Sequence, residues 1–228
     1  MEKTVLAAMA LALKAYETEK NPGTEVIDDR VTGVQCFIRR RGETLIFAFR
    51  GSDSKKDWQT NLAFRQKAIP YGQQSSKIRI HSGFVDAYKA PQIRLRLQGL
   101  ILPGVKRIAI CGHSLGAALA VLCAADMQAS FPDRQVEVIL FGCPRVGNRA
   151  FRDMYDRRVP KTLRVENGND IVTKIPLAIM GYRHVGVPLR IGTRRLPGII
   201  SFEQHRPENY CRELVKEKAD PALRGLQS

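Results

Sequence analysis

Apolar residues along the chain gather in two rhythms. Val34–Ile38, Thr44–Phe49, Ile108–Cys111, Val136–Phe141 and Thr162–Val165 are short, β-rich apolar runs, the pattern of strands buried in a sheet. Between them lie longer segments of helical pattern: residues 4–18, a stretch opened by His81-Ser82-Gly83-Phe84, broken at Pro91 and resumed to about Leu102, an alanine-rich run ending near Ser130, residues 148–157, and Gln204–Lys218. Asn21-Pro22-Gly23 breaks the first helix and leads into a loop. Arg40-Arg41-Gly42-Glu43 joins the first two strands as a hairpin. Asp53–Phe64, with Trp58 and Leu62 among polar neighbours, reads as a short surface helix, and Ile78–His81 as a short strand. Pro176, Pro188 and Pro197 punctuate an irregular region with short strands at about 182–187 and 189–191. Strands interspersed with helices predict an α/β class: a mostly parallel central sheet with helices on both faces. The 228 residues contain no internal repeat and no Gly/Ser linker, so one domain spanning 1–228 is expected.

Composition adjusts this picture at three points. No run of eighteen apolar residues occurs, so no membrane-spanning helix is predicted. Val5–Leu13 is long enough for a signal-peptide core, but Glu2 accompanies its one preceding lysine and Lys14 follows at once. It reads as a packed amphipathic helix, and a cytoplasmic location is expected. Cys36, Cys111, Cys123, Cys143 and Cys211 are odd in number and widely spaced, which predicts buried free thiols and a reducing compartment. No metal-ligand spacing is present and no metal is expected. Lysine and arginine number 37 against 22 acidic residues, a net charge of +15. Such a balance suits nucleic acid, an anionic lipid surface or a solvated basic exterior. The basic residues stand in small scattered groups (Arg39–Arg41, Lys55-Lys56, Arg157-Arg158, Arg194-Arg195) without a nucleic-acid-binding signature. Nucleic acid is therefore not an expected partner, and peripheral contact with anionic lipid is favoured.

The candidate chemistry centres on Gly112-His113-Ser114-Leu115-Gly116, set between the Ile108–Cys111 strand and the alanine-rich helix. Gly-x-Ser-x-Gly in that context is a nucleophile elbow. The glycines allow the crowded turn, and the helix N-terminus directs the Leu115 N–H and its dipole at charge developing beside Ser114. A serine needs a base and an acid to orient that base, in chain order Ser, Asp/Glu, His for such elbows. Asp170 follows the Thr162–Val165 strand in a glycine-containing loop and is the candidate acid; Asp153 and Asp156 read as solvated helix charges. Only His184 and His205 follow Ser114. His205, in the loop before the last helix, is preferred, and His184 reads as a structural hydrogen-bonding residue. His81 and His113 are expected to pack locally. Ser52 ends the Thr44–Phe49 strand and is either a second oxyanion donor or part of a plain turn; the residues alone leave this open.

Several of these elements occur together in one known family. The chain resembles the class 3 lipases, the fungal-lipase-like α/β hydrolases, through Phe49-Arg50-Gly51-Ser52 with Asp57-Trp58, His81-x-Gly83-Phe84, Gly112-His113-Ser114-Leu115-Gly116-Ala117, Gly142-x-Pro144-Arg145-Val146-Gly147-Asn148, Asn169-Asp170-Ile171-Val172, Tyr182-x-His184-x-Gly186, and His205 with Tyr210. These come in the family's order over residues 1 to about 215. The resemblance implies an α/β-hydrolase fold, a Ser114–Asp170–His205 triad, an oxyanion hole from Ser52 and Leu115, a lid at about 53–64, and no cofactor. It implies hydrolysis of triacylglycerols, other carboxyl esters or phospholipid acyl chains. Two departures stand out: Thr173-Lys174 stands where the family usually has proline, and Lys55, Lys56, Asp57, Gln59 and Asn61 make the lid-like segment polar. A polar lid gains little at an oil interface, which favours a general esterase or an enzyme of charged lipid. The expected function is a serine carboxylic-ester hydrolase; phospholipase A1 activity on anionic lipid and a basic binding protein on an inactive scaffold are the alternatives.

Overall fold

The computed structural model describes residues 2–16, 24–51, 66–68, 77–193 and 198–219. Its elements are α1 (Glu2–Lys14), β1 (Thr24–Asp29), β2 (Val34–Arg41), β3 (Thr44–Phe49), β4 (Gln66–Ala68), β5 (Arg79–His81), α2 (Ser82–Lys89), α3 (Pro91–Gly99), β6 (Arg107–His113), α4 (Leu115–Ser130), β7 (Gln135–Phe141), β8 (Gly147–Asn148), α5 (Arg149–Arg158), β9 (Thr162–Asn167), β10 (Tyr182–Arg183), β11 (Val187–Ile191) and α6 (Pro207–Ala219). The lid-like segment at 53–64 lies outside the described residues.

Seven strands form the main sheet in the order β1-β2-β3-β6-β7-β9-β11. From β3 onward every pairing is parallel, while β1 and β2 extend the sheet as an antiparallel hairpin. The expected mostly parallel sheet with helices on both faces is present. Along β7 the side chains alternate: Val136, Val138 and Leu140 enter one apolar core, Ile139 and Phe141 the other. This period-two division separates a layer containing α2–α5 from one built on α1 and α6.

The elbow helix α4 is buried from Gly116 to Met127, as an all-round apolar sequence requires. Its one charge, Asp126, is 1% exposed and is compensated. Arg94 donates to both of its oxygens at 2.8–3.1 Å, and Tyr88 and Gln98 each donate at 3.0 Å. A buried carboxylate without such partners would cost several kcal/mol.

The structure differs from the sequence pattern in several places, among them the unpredicted short strands β4 and β8. Thr24–Asp29, expected as loop, is the edge strand β1, whose acidic residues are tolerated because its backbone pairs with β2 on one side only. The first helix stops at Lys14 instead of reaching residue 18. The 182–187 strand divides. Tyr182–Arg183 pairs with β8 in a separate four-stranded antiparallel sheet, β10-β8-β5-β4, and Val187 already belongs to β11 of the main sheet. The Ile78–His81 run contributes to that smaller sheet as β5. All five cysteines are free thiols, Cys211 alone partly exposed. Burial pushes the other four up in pKa, Cys111 and Cys143 to about 12, so they are unreactive apolar core groups. Among the described residues no helix is long and apolar enough to cross a membrane.

Candidate active site

Ser114 sits between β6 and α4 with φ 58° and ψ −126°, the one non-glycine residue at positive φ among those described. Such a backbone costs of order 1–3 kcal/mol and persists because the turn is clamped. The Ser114 N–H donates to the Phe141 carbonyl at 3.0 Å, and the Ala117 N–H donates to the Ser114 carbonyl at 3.0 Å. A side chain on Gly112 would place its Cβ 2.5 Å from the Gly116 carbonyl oxygen; one on Gly116 would stand 2.5 Å from that of Arg50. Both motif glycines are thus required by backbone contact. Leu115 opens α4, so its N–H is one of those at the helix start that have no acceptor within the helix.

Asp170 lies beyond β9, after a turn at Gly168 (φ 49°), and bridges to Ser201. Its side chain is fully buried and its oxygens are divided between three donors. The Val172 N–H donates to Oδ1 at 2.8 Å; the Tyr210 hydroxyl (2.6 Å) and His205 Nδ1 (2.9 Å) donate to Oδ2. With Nδ1 protonated, His205 Nε2 is bare and accepts from Ser114 Oγ at 2.8 Å. His205 occupies a 3₁₀ turn, Glu203–His205, just before α6. That turn is pinned to the Asp170 loop by Asn169 N–H donating to Gln204 Oε1 (2.7 Å) and Asn167 Nδ2 donating to the Gln204 carbonyl (3.0 Å). Gly142, at the end of β7 with φ 55°, makes room for the pair: a Cβ there would be 2.9 Å from both Asp170 Oδ2 and His205 Cε1.

The structure therefore brings Ser114, His205, Asp170 and the Leu115 amide to one rim of the sheet. Ser52 lies outside the described residues. His184 stands apart, its Nε2 donating to the Thr173 carbonyl at 2.8 Å, and His81 is buried against Phe84 with ring centroids 4.2 Å apart. Asp156 is more than a solvated charge, since its Oδ1 accepts the Gly186 N–H at 2.8 Å. The Gly142–Asn148 motif proves to be scaffolding. Arg145 donates to the carbonyls of Lys174 and Pro176, holding the chain that follows Asp170. Asn148 Oδ1 caps α5 through the Phe151 N–H (3.0 Å) and accepts the Arg79 N–H of β5 (3.1 Å).

Two contributors carry no role in the sequence reading. Tyr210 enters there only as following His205; its hydroxyl holds Asp170 and accepts the Asn167 N–H at 3.1 Å. The available signal is a tyrosine on the core side of the last helix, where a buried hydroxyl requires a partner. His113 packs as expected, but its hydrogen bonds reach Tyr16 and His205, far away in sequence. Among the described residues no group of three His, Cys, Asp or Glu could hold a metal ion.

Burial depresses three imidazoles: His81 to about 4, His113 and His184 to about 3. Between those values and about pH 6.5 the unfolded chain binds protons that the folded chain excludes, so stability rises with pH through this window and falls on acidification. Each histidine contributes a slope of about 1.4 kcal/mol per pH unit there. The urea midpoint is expected to be clearly lower at about pH 5 than at about pH 7; equal midpoints would contradict neutral burial of these rings.

Comparison with known proteins agrees with this geometry. The family model for lipase (class 3) matches residues 46–180. Phospholipase A1-II 4 of Oryza sativa subsp. japonica is 34% identical over 191 residues, covering 72% of this chain and 47% of the relative. A lipase of Rhizomucor miehei is 32% identical over 152 residues, covering 63% and 40% respectively. The chain thus spans less than half the length of these curated relatives. A solved Rhizomucor miehei lipase propeptide complex superposes with a TM-score of 0.74 at 25% identity, over 84% of this chain and 67% of that one. With the family model covering more than half of its length and the elbow, loops and sheet in the matching order, the chain belongs to the class 3 lipase family.

Proposed function

We propose that the protein is a serine carboxylic-ester hydrolase acting on acylglycerols or related lipid esters. The observation that carries this reading is the continuous relay from Asp170 through His205 to Ser114, with hydrogen bonds of 2.9 and 2.8 Å. His205 Nε2 takes the proton of Ser114 Oγ as the oxygen attacks the ester carbonyl carbon. The carbonyl π electrons move onto oxygen, where the Leu115 amide, and Ser52 by family resemblance, stabilise the oxyanion. The tetrahedral intermediate collapses to an acyl-serine, and the imidazolium protonates the departing alcohol. Water, deprotonated by the same imidazole, repeats the cycle and frees the acid and the serine. Asp170 holds the ring with Nδ1 protonated and stabilises its cationic form.

A fluorophosphonate probe tests the nucleophile: a phosphonyl adduct on the peptide carrying Ser114 is expected, and an unlabelled protein would favour the inactive-scaffold alternative. A second reading, phospholipase A1 action on anionic lipid, is supported by the +15 net charge and by the phospholipase A1 name of the rice relative. Attraction to a charged surface weakens as salt shortens the Debye length. Hydrolysis of phosphatidylglycerol vesicles is expected to fall with added salt while tributyrin turnover stays level. An equal salt response on both substrates would set the anionic-lipid reading aside.

A further inference from the structure

His113 precedes the candidate nucleophile, yet the residue is only 2% exposed, with its ring turned into the protein. Its Nε2–H donates to the main-chain carbonyl of His205 at 2.8 Å, and its ring stacks on the His205 imidazole with centroids 4.6 Å apart and planes 27° from parallel. With the proton on Nε2, Nδ1 is an acceptor, and the Tyr16 hydroxyl donates to it at 2.9 Å. Tyr16 follows the end of α1 and reaches the turn that carries Ser114. A Cβ on Gly51 would collide with its hydroxyl while lying 3.0 Å from Ser114 Cβ and 2.8 Å from the His113 carbonyl oxygen.

Burying an imidazole costs desolvation that an apolar ring of similar shape would avoid, so the polar identity of His113 calls for a function. We infer that His113 and Tyr16 form a positioning couple that holds the His205 main chain and ring plane in line with Ser114 and Asp170. The inference rests on the reading of those three residues as the catalytic relay. His205 is carried by a single 3₁₀ turn, and its ring must keep Nδ1 on Asp170 while Nε2 first accepts and then returns a proton. The hydrogen bond from His113 fixes the carbonyl of that turn, and the stack limits rotation of the ring. Tyr16 selects the His113 tautomer that makes the bond. Burial keeps His113 neutral, so the imidazolium that forms on His205 meets a polarisable ring instead of a second cation.

Three variants, His113→Phe, His113→Gln and Tyr16→Phe, test the couple, with p-nitrophenyl butyrate as substrate and active sites counted by fluorophosphonate titration. Phenylalanine keeps the stack and loses both hydrogen bonds; glutamine keeps a donor for the His205 carbonyl. His113→Phe is expected to lower kcat per titrated site about tenfold with KM changed less than about twofold, as for a misplaced base. His113→Gln is expected to recover a large part of that loss. Tyr16→Phe is expected to lower kcat about threefold. Wild-type kcat per site in both His113→Phe and Tyr16→Phe would overturn the inference, and if His113→Phe does not fold, an unchanged kcat in Tyr16→Phe overturns it alone. Ser114→Ala in the same assay separates the two levels. Retained turnover there would bring down the relay itself, whereas an inactive Ser114→Ala beside unimpaired Tyr16 and His113 variants removes only the couple.

Discussion

Ser114→Ala is expected to lower ester turnover by at least about 10⁴-fold and to abolish fluorophosphonate labelling, with the fold retained. The size follows from the chemistry: without Oγ there is no acyl-enzyme, and His205 has no proton to take from the nucleophile's position. Alanine can occupy the turn because the hydrogen bonds that clamp residue 114 run through its backbone, and the close approaches at Gly112 and Gly116 do not involve its side chain. Removal of the Oγ leaves those contacts in place. The check is kcat on p-nitrophenyl butyrate beside a thermal melt. A folded Ser114→Ala protein with activity within about tenfold of the parent would mean that hydrolysis proceeds elsewhere in the molecule.

Asp170→Asn is the second large effect, with an expected fall in kcat of about 10⁴-fold. Asp170 is surrounded by donors: the Val172 N–H on Oδ1, and the Tyr210 hydroxyl and His205 Nδ1 on Oδ2. An asparagine of nearly the same shape has one oxygen for these three donors and adds an NH₂ of its own. If the oxygen stays with Val172, the amide faces His205 and draws the bare nitrogen of the ring toward residue 170. The imidazole proton then sits on Nε2, facing Ser114, and the base is gone while the packing is kept. Stability is expected to change far less than activity, which separates loss of the tautomer from loss of the fold. Activity of Asp170→Asn within about tenfold of the parent would show that residue 170 does not set the protonation of His205.

Much of the site was legible because its essentials are local. The elbow is written into five consecutive residues; Gly112 answers to a backbone contact within the turn, and Gly116 to the backbone of Phe49 and Arg50 at the end of β3. His205 could be chosen because only two histidines follow Ser114, and Asp170 because it stands in a loop directly after a strand, where a carboxylate reaches the rim. What escaped depends on partners remote in sequence. Tyr16 and His113 are 97 positions apart, and Tyr210 and Asp170 are 40 apart; no spacing rule connects such pairs. β1 escaped for a different reason. Thr24–Asp29 carries three acidic residues, and it is a strand because β2 offers it a row of backbone donors and acceptors. The division of the 182–191 region between two sheets is also a tertiary choice, made by β8 on one side and β9 on the other. Ser52 and the lid-like segment keep the standing that resemblance lends them.

The attachment of α6 has a consequence for how the protein would lose activity. Tyr210 leaves that helix to grip Asp170, and the turn bearing His205 leads directly into it, while Ser114 belongs to the β6–α4 junction on the central strands. The nucleophile is anchored in the middle of the molecule, whereas its base and the tyrosine that grips Asp170 hang from an outer layer. Local loosening of that layer would silence the serine while the sheet still held together, so heat inactivation would run ahead of global melting.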